Sequence, residues 1–489
     1  MNLIHSYRGL LGAALVLALV SSVQCGGDDN GHASQPDTKP DAGEPDAPAT
    51  PTLTLADKTV DRAVVKVRPR TTGGWVALEE QMGHWREGEI DRNRRRALVW
   101  KESTADNAHE IARFVPEEGS LVSDFTVHPS GAVTAVVTGR SLSDNRLYRF
   151  DDSGHVTATV AITDPDLATD PAPYSTPMGM SSPGELRCPM SRISASIEAV
   201  GDDAVVSFET GAHAVVLHRY DSDVAAGYVK AWRRLVEPAL YMLAFGGTQN
   251  VSTFDTGDHL TGAHRATLAV GPDSMAVVVA DADEFAQRGE AHNAFFGDGI
   301  PESSYGSVLV TRYAFDGTRL GTSVIPEFFE AIGRGAAIRD HALYVVGAGG
   351  YPNKDGFGLD GRVAALDMND GKLLWATNID FQRSDWLMDV APTKSGHLFV
   401  TGMSGFWRNY DGISFGEESE SLVAELDDQG HLVRRFVFPQ RPRNNQVRSI
   451  APSGDTLLLG GFSNGPATHS GDEDLTRIKA DGEVWRLSP

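Results

Sequence analysis

A unit of four short apolar runs recurs along the chain and limits its possible folds. The clearest copy has runs at Leu387–Ala391, His397–Thr401, Leu422–Leu426 and Leu432–Phe438. Turns rich in Gly and Asp separate the first run from the second and the third from the fourth, and a longer polar segment lies in the middle. Short apolar runs between such turns indicate β-hairpins rather than helices.

The second run of the unit marks each copy, and it recurs at intervals of about 55 to 72 residues. The markers are Trp75–Leu78, Val133–Thr138, Ala204–Phe208, Met275–Ala280, Ala342–Val346, His397–Thr401 and Thr456–Leu459. One such sheet cannot cover both of its faces, whereas sheets stacked around an axis can. The repeat therefore predicts an all-β fold, a seven-bladed β-propeller with four antiparallel strands per blade. Six or eight blades stay open, because the first copy, Ala63 to Val115, is the least regular.

The carboxyl end of the chain supplies the last blade. A hairpin of Leu475–Ile478 and Glu483–Leu487 is expected to form its third and fourth strands. All four strands of this blade would then come from the carboxyl end. Closure of the ring would depend on packing rather than on a strand from the amino end.

Charge and cysteine content exclude several classes of protein. The formal net charge of −23 argues against nucleic acid as a partner, because phosphates require a basic surface. Two cysteines, Cys25 and Cys188, exclude a disulfide framework. The acidic runs Asp472–Asp474 and Glu417–Glu420 suggest Ca²⁺, but they lack the alternate-residue spacing of an EF-hand loop. We therefore expect no metal and no other cofactor.

The first 25 residues read as a targeting segment. Their apolar core, Leu10–Val20, is too short to span a bilayer but suits a secretory signal. Cys25 follows, so the segment resembles a bacterial lipoprotein signal, in which the cysteine is lipidated and begins the mature chain. Ser22 and Gln24 depart from the usual residues of that signal. The alternative is an ordinary cleaved signal followed by an incidental cysteine.

Residues 26–52 read as a disordered acidic tether, with five prolines, six acids and no large apolar residue. Such a composition cannot bury enough surface to become ordered. Residues 53–489 then form the propeller. These boundaries predict an exported, monomeric lipoprotein of the outer membrane or cell surface, periplasmic or extracellular, with the membrane as one partner through its lipid anchor.

Particular repeats resemble known families. SLVAELDDQGHLVRRFVF (Ser421–Phe438), preceded by LFVTGMSG (Leu398–Gly405), resembles the propeller repeats of secreted bacterial proteins of the SBBP and delta-60 type. ALDMNDGKLLW (Ala365–Trp375) resembles a quinoprotein-type repeat, in which the Trp docks between blades, and ADGEVW (Ala480–Trp485) is similar to it. LYVVGAGG (Leu343–Gly350) resembles a kelch blade. These resemblances imply a fold, and fold alone does not carry function. The chain has no adjacent Cys pair, which argues against a quinone cofactor.

The connections between predicted strands are unequal in length. The long ones lie between second and third strands, or between blades. They are Glu79–Arg96, Thr163–Ile193, Val236–His264, Asp281–Ser307, Gly347–Gly361, Gly402–Glu420 and Gly461–Asp474. In a propeller both classes emerge on one face, and long loops on a rigid scaffold are where binding residues concentrate.

Aromatic and polar residues occur together in three of these long connections. The candidate ligand-binding residues are Trp407, Tyr410, Asp411, Tyr351, Asp355, Phe296 and Asp298. Aromatic faces beside carboxylates suit sugars or polar peptides, because rings stack while polar groups form hydrogen bonds. The alternative is that these aromatics pack the loops onto the blades. Trp407 is the strongest single candidate.

Three hypotheses of function follow. The first is an envelope lipoprotein that binds a protein or glycan through the face with long loops. The second is a hydrolase or lyase of extracellular polysaccharide, with acids from Asp298, Asp355, Asp360 or Asp411. The third is a structural spacer without a ligand. No HExxH metal motif and no G-x-S-x-G nucleophile elbow occurs, so the sequence favours binding over catalysis.

Overall fold

The computed structural model describes residues 51–81, 95–103, 108–118, 120–139, 144–164, 195–209, 215–223, 225–237, 266–279, 308–325, 328–349, 360–381, 385–404, 420–438, 445–463 and 480–489. All of them belong to one compact unit, Thr50–Pro489. Their strands form seven separate sheets, each of four antiparallel strands. The all-β class and the four-stranded unit predicted from the repeat are confirmed.

The strands are numbered in chain order, beginning with β1 (Thr52–Thr59). Blade 1 contains β2 (Ala63–Pro69), β3 (Trp75–Gln81), β4 (Arg95–Ser103) and β5 (Ala108–Phe114). Blade 2 contains β6 (Leu121–Val127), β7 (Val133–Thr138), β8 (Arg146–Phe150) and β9 (Val156–Ala161). Blade 3 contains β10 (Ala195–Val200), β11 (Asp203–Glu209), β12 (Val215–Asp223) and β13 (Gly227–Glu237).

Blade 4 contains β14 (Ala266–Val270), β15 (Ser274–Val279), β16 (Val308–Ala314) and β17 (Arg319–Ile325). Blade 5 contains β18 (Phe328–Arg339), β19 (Ala342–Gly349), β20 (Asp360–Asp367) and β21 (Leu373–Ile379). Blade 6 contains β22 (Asp385–Pro392), β23 (Leu398–Ser404), β24 (Glu420–Leu426) and β25 (Leu432–Phe436). Blade 7 contains β26 (Gln446–Ser453), β27 (Thr456–Ser463) and β28 (Asp481–Ser488), and β1 completes it.

The first strands of the blades form a closed inner ring. Each of them contacts the first strand of the next blade, and β26 of blade 7 contacts β2 of blade 1. The prediction of a seven-bladed propeller is therefore confirmed. The four strands of each blade follow one another outward from this ring in sequence order in blades 1 to 6.

Apolar side chains fill the space between neighbouring blades. Between blades 4 and 5, Val278 and Val310 pack against Val345 and Ala364. Equivalent clusters join the other six pairs of blades. A sheet that is covered on both faces must be apolar on both faces. This is why a second strand such as Val133–Thr138, in which every residue is buried, is mostly apolar and carries no charged residue.

Closure of the ring differs from the prediction. The outer strand of blade 7 is β1 from the amino end, which pairs antiparallel with β28 through Leu53 opposite Leu487. Glu483–Leu487 lies within β28, but as the third strand of the blade rather than the fourth. Leu475–Ile478 falls outside the described residues. The prediction that all four strands come from the carboxyl end was wrong, because backbone hydrogen bonds from β1 satisfy the free edge of β28.

The outer edge of every blade carries an irregularity. In all seven blades the pairing of the outermost two strands contains a register shift, as at Arg149/Phe150 in blade 2. A shift of this kind adds twist to an edge strand and makes it a poor template for further strands. The outer rim is therefore protected against strand pairing with another chain.

The two faces of the propeller receive different connections. Turns from first to second and from third to fourth strands lie on one face, the short-turn face. Connections from second to third strands and from blade to blade lie on the other, the long-connection face. Thr52, the first residue of β1, pairs with Ser488 at the end of β28. Leu487, next to Ser488, pairs with Leu457 near the start of β27, which follows the short turn between the first two strands of blade 7. The chain therefore enters the propeller on the short-turn face.

Candidate functional site

The turns on the short-turn face are tightly bonded and serve the scaffold. In the turn between β24 and β25, the Asp427 carboxylate accepts hydrogen bonds from the backbone N–H groups of Gln429 and His431, at 2.9 and 2.8 Å. The N–H of His431 holds the pKa of Asp427 below its ordinary value. A carboxylate that binds backbone donors in this way fixes the turn.

The same turn packs against the neighbouring blade. Gly430 has a φ of +83°, and a Cβ built on it would lie 2.6 Å from the Trp375 ring. The indole N–H of Trp375 donates to the carbonyl oxygen of Asp428 at 3.0 Å. Trp375 thus docks between blades 5 and 6, as the quinoprotein-type resemblance of its repeat implied. Only glycine combines this φ with this close approach.

The predicted ligand-binding residues belong to the long connections of blades 4, 5 and 6, which are neighbours in the ring. All seven of them lie outside the described residues, as does Cys25: Phe296, Asp298, Tyr351, Asp355, Trp407, Tyr410 and Asp411. The structure describes the strand ends on either side of two of these connections. They are Ser404 and Glu420 in blade 6, and Gly349 and Asp360 in blade 5. The roles of these residues stay predictions.

Three carboxyl groups lie near one another where blades 5 and 6 meet the long-connection face. Asp360 begins β20, Asp380 follows β21, and Asp385 begins β22. The Asp385 side chain is fully buried, and its Oδ2 accepts the N–H of Phe381 at 2.7 Å. Burial, with a smaller contribution from the charges of Asp380 and Asp360, raises the pKa of Asp385 to about 6, although hydrogen bonds from Ser404 and Phe381 oppose this.

Asp360 was one of the acids proposed for a polysaccharide-cleaving site. Burial, and then the charge of Asp380, raises its pKa above the ordinary value. The paired carboxyls of a glycosidase must both reach the scissile bond. Asp385 has no exposed surface, so it acts on its neighbours by its charge rather than on a substrate. Among these three groups, Asp360 combines a raised pKa with partial exposure, and Asp380 is exposed.

A repeated hydrogen bond links the inner strands around the central channel. A side-chain oxygen of one blade accepts the backbone N–H of the next blade's first strand. Four cases at equivalent positions are Asp124 to Ile197 (3.0 Å), Ser196 to Leu268 (3.4 Å), Asp389 to Ile450 (2.9 Å) and Ser449 to Val67 (3.2 Å). Ser123 of blade 2 also accepts the N–H of Ala195 at 3.1 Å. The free edge of an inner strand leaves N–H groups unpaired, and these oxygens satisfy them. The sequence analysis did not identify these residues. In the sequence, each of the four is a polar residue within a first strand and directly precedes an apolar residue of that strand.

Ion pairs cross the channel at the level of these bonds. Lys66 of blade 1 lies 2.8 Å from Asp124 and 3.5 Å from Glu198. Arg68 lies 3.8 Å from Glu198 and 4.0 Å from Asp389, in blades 3 and 6. Burial raises the pKa of Asp389, although the charge of Arg68 and two backbone N–H groups oppose this. The two cations of blade 1 are already engaged by carboxylates, so the described channel is a structural feature rather than an open binding site.

A buried histidine holds blades 2 and 3 together. His218 lies 2.6 Å from Asp164 through Nε2 and 3.0 Å from the Tyr220 hydroxyl through Nδ1. Arg233 donates to the same carboxylate at 2.6 Å. Burial lowers the pKa of His218, so the neutral ring donates from Nε2 to Asp164 and accepts from Tyr220. A side chain without solvent access cannot act on a substrate, so this network is structural.

In the described part of the chain, no group of three or more His, Cys, Asp or Glu side chains is placed to hold a metal ion. Within the same residues, no helix is long and apolar enough to cross a bilayer.

Comparisons with known proteins support no assignment to a family. No family model matches the chain, and no curated protein matches it. It is similar to a solved protein of unknown function from Bacteroides caccae, at 12% identity over 76% of this chain and 94% of that one, with a TM-score of 0.36. It is also similar to the WD40 β-propeller domain of Doa1, at 8% identity over 88% of this chain and 96% of that one, with a TM-score of 0.42. The SBBP and delta-60 likeness therefore stays a resemblance, and the propeller assignment rests on the seven sheets.

Proposed function

We propose that this protein is a cell-envelope lipoprotein whose propeller binds a protein or glycan partner through its long-connection face. One observation carries the proposal: the two faces are built differently. Turns such as that of Asp427 make the short-turn face part of the scaffold. The opposite face receives the long connections, with Trp407 and Tyr410 among their residues. Binding residues on rigid scaffolds concentrate in such loops.

The entry point of the chain supports the same orientation. Thr52 joins the propeller on the short-turn face, where it pairs with Ser488. A tether of residues 26–52 that runs from a lipidated Cys25 would hold the propeller by this face. The long-connection face would then be free to meet a partner. A substitution Cys25→Ser should move the protein from the membrane fraction to the soluble fraction without weakening capture.

Replacement of Gly405–Gly412 by a Gly-Ser linker of equal length tests the binding face. Soluble propeller, residues 50–489, is immobilised and incubated with envelope extract. We expect the captured partner to disappear, while the Tm changes by less than about 2 °C because the replaced segment lies between β23 and β24 and leaves both strands intact. The double substitution Trp407→Ala with Tyr410→Ala should weaken capture in the same direction.

A matched control uses the opposite face. Gln429→Ala lies in an exposed short turn, and its side chain does not fix the backbone of that turn. This variant should capture the partner as the native propeller does. Capture that survives the loop replacement, or that Gln429→Ala abolishes, would exclude the long-connection face as the binding surface.

A second candidate function has one observation in its favour, the raised pKa of Asp360 on the same face. A carboxyl group with a raised pKa keeps its proton to higher pH than an ordinary one and can act as a general acid. If the protein cleaves polysaccharide, the native propeller releases new reducing ends from envelope polysaccharides and Asp360→Asn releases none. Absence of release by the native protein across such a panel removes this candidate.

A further inference from the structure

A cavity opens on the long-connection face beside blade 2, away from the connections of blades 4 to 6. Its volume is about 230 Å³. Its walls come from the connection between β5 and β6, from the end of β7 and from the start of β8. Glu117 and Ser120 lie in that connection, Val137 in β7, and Arg146 and Tyr148 in β8. Unlike the candidate residues of blades 4 to 6, these side chains belong to the described part of the chain.

One wall is the face of blade 2 that packs against blade 1. Arg146 and Tyr148 are two residues apart in β8, so their side chains share this face. Val137 pairs with Arg146 across β7 and β8 and is almost fully buried. The ring of Tyr148 lies 5.0 Å from that of Phe114 in blade 1 and 6.3 Å from that of Phe150 in blade 2. Two neighbouring rings therefore fix Tyr148 as a flat, partly exposed aromatic surface.

A turn that precedes β6 forms another wall. The backbone N–H of Ser120 donates to the carbonyl oxygen of Glu117 at 3.0 Å and closes this turn. The side chains of Glu118 and Asp144 also line the cavity, but both residues already have interactions. They therefore do not count among the groups that can bind a guest molecule.

Three polar groups of the cavity keep their bonding capacity. Within the described residues, the Glu117 carboxylate, the Arg146 guanidinium and the Tyr148 hydroxyl form no hydrogen bond or ion pair. Arg146 donates only, Glu117 accepts only, and the Tyr148 hydroxyl does both. The formal charges of Glu117 and Arg146 cancel. The set therefore favours a neutral guest that carries both donors and acceptors.

A sugar ring has this chemistry. Each of its hydroxyl groups both donates and accepts, so neighbouring hydroxyls can pair with a carboxylate and with a guanidinium. The C–H groups of the ring form an apolar face that packs on an aromatic side chain. The volume of the cavity lies below the roughly 300–1,000 Å³ of pockets that enclose a drug-sized ligand, so it suits a single ring of a glycan.

We propose that this cavity binds one neutral pyranose unit of a glycan. The inference rests on the proposed binding function and identifies the partner as a glycan. The C–H face of the ring packs on Tyr148, one hydroxyl donates to the Glu117 carboxylate, and another accepts from the Arg146 guanidinium. The rest of the glycan continues across the long-connection face.

Charged guests fit these groups less well. Among the described groups that keep their bonding capacity, a cation would find a single carboxylate, Glu117, and would be repelled by Arg146. An anion would be attracted by Arg146 but repelled by Glu117 and by the formal charge of −23 on the chain. A metal ion needs several converging ligands, and the described side chains provide no such group.

The test uses fluorescently labelled trisaccharides that differ in their non-reducing terminal unit. A neutral set ends in glucose, galactose, mannose or the N-acetylated 2-amino forms of these sugars. Two matched sets end in the corresponding uronate, which is anionic, or in the corresponding free amino sugar, which is cationic. Binding to the soluble propeller is measured by fluorescence anisotropy. We expect saturable binding of at least one neutral trisaccharide, and weaker binding of both of its charged counterparts.

Variants locate the site. The double substitution Glu117→Ala and Arg146→Ala removes two charge-assisted hydrogen bonds and should weaken binding of the neutral trisaccharide by at least about tenfold. The control removes one acid and one base from the short-turn face, through Asp455→Ala and Lys394→Ala, and should bind as the native protein does. All four side chains are exposed, so the Tm should be unchanged in both double variants.

Several outcomes would overturn the inference. They are no saturable binding of any neutral trisaccharide, tighter binding of a charged counterpart, equal loss in both double variants, or no loss in the cavity variant. The proposed function is judged separately by capture of the envelope partner. If the loop replacement at Gly405–Gly412 abolishes capture and no neutral trisaccharide binds, the binding face stands and the sugar site is wrong.

Discussion

Replacement of Asp385 by Asn gives a quantitative test of the energetics of the long-connection face. The carboxyl group is fully buried where blade 5 meets blade 6, and its Oδ1 has no hydrogen-bond partner of good geometry among the described residues. A buried carboxylate in this position costs free energy whenever it is ionised. An Asn side chain has nearly the same shape and stays neutral at every pH.

The magnitude follows from the pKa of Asp385. Burial raises it from 3.8 to about 6, and each pH unit of difference corresponds to about 1.4 kcal/mol. Because the folded pKa lies above the unfolded one, the folded state holds the proton more tightly, and stability falls as the pH rises from about 4 to above 6. The cost at pH 7 is about 3 kcal/mol at most. An amide N–H₂ without an acceptor would offset about 1 kcal/mol of the gain.

The assay is urea unfolding of the native propeller and of Asp385→Asn at pH 4, 5, 6 and 7. We expect Asp385→Asn to be more stable by about 1–3 kcal/mol at pH 7, with the gain gone near pH 4. Asp455→Asn removes an equal charge from an exposed turn and serves as the control. A stability difference for Asp385→Asn that is the same at pH 4 and pH 7 would refute the reasoning.

Three further substitutions test the scaffold. Gly430→Ala should lower the free energy of unfolding by about 2–4 kcal/mol, because φ is positive and a Cβ would meet the Trp375 ring. Gly396→Ala has a positive φ but open space around it, so it should cost only about 1 kcal/mol. Equal losses in urea unfolding would contradict the contact between blades 5 and 6. Lys66→Met removes the cation that lies 2.8 Å from Asp124 and leaves Arg68 as the cation near Glu198, so it should cost about 3 kcal/mol in urea unfolding; an unchanged stability would contradict the pairing. His218→Asn should lower the free energy of unfolding by about 2–4 kcal/mol at pH 7 and by less at pH 5. The pKa of His218 is lowered in the fold, so the native protein loses stability below about pH 6.5, where the histidine of the unfolded chain is protonated. A loss that is the same at both pH values would show that this histidine is not neutral in the fold.

The blades could be predicted from the sequence because their signal is local. A middle strand such as Val133–Thr138 is buried on both faces, so it carries no charged residue, and Thr134 and Thr138 are its only polar ones. The turn of Asp427 to Gly430 also carries its own signature, since Asp fixes the turn and Gly supplies the positive φ. Both features depend on a few consecutive residues, which a single sequence displays.

Closure of the ring could not be predicted in this way. The strand Thr52–Thr59 is largely exposed and rich in Thr, Asp and Lys, so no apolar run marks it. Its partner, Asp481–Ser488, lies at the other end of the chain. Only the free edge of blade 7 in three dimensions selects this pairing.

The electrostatics of the candidate site were hidden for a related reason. Asp360 is separated from Asp380 and Asp385 by two strands, β20 and β21, and comes near them only where blades 5 and 6 meet. The same holds for Lys66 and Glu198, which meet across the channel. Chemistry that depends on contacts between blades requires the ring, and a single sequence shows the blades one at a time.

Site-specific photocrosslinking tests the central claim, that the long-connection face binds the partner. A photoreactive phenylalanine analogue replaces Trp407 on that face, or Gln429 on the short-turn face, and each propeller is irradiated with the captured envelope partner. The proposal predicts a crosslinked adduct from position 407 and none from position 429. An adduct from position 429 alone would place the partner on the short-turn face and contradict the account.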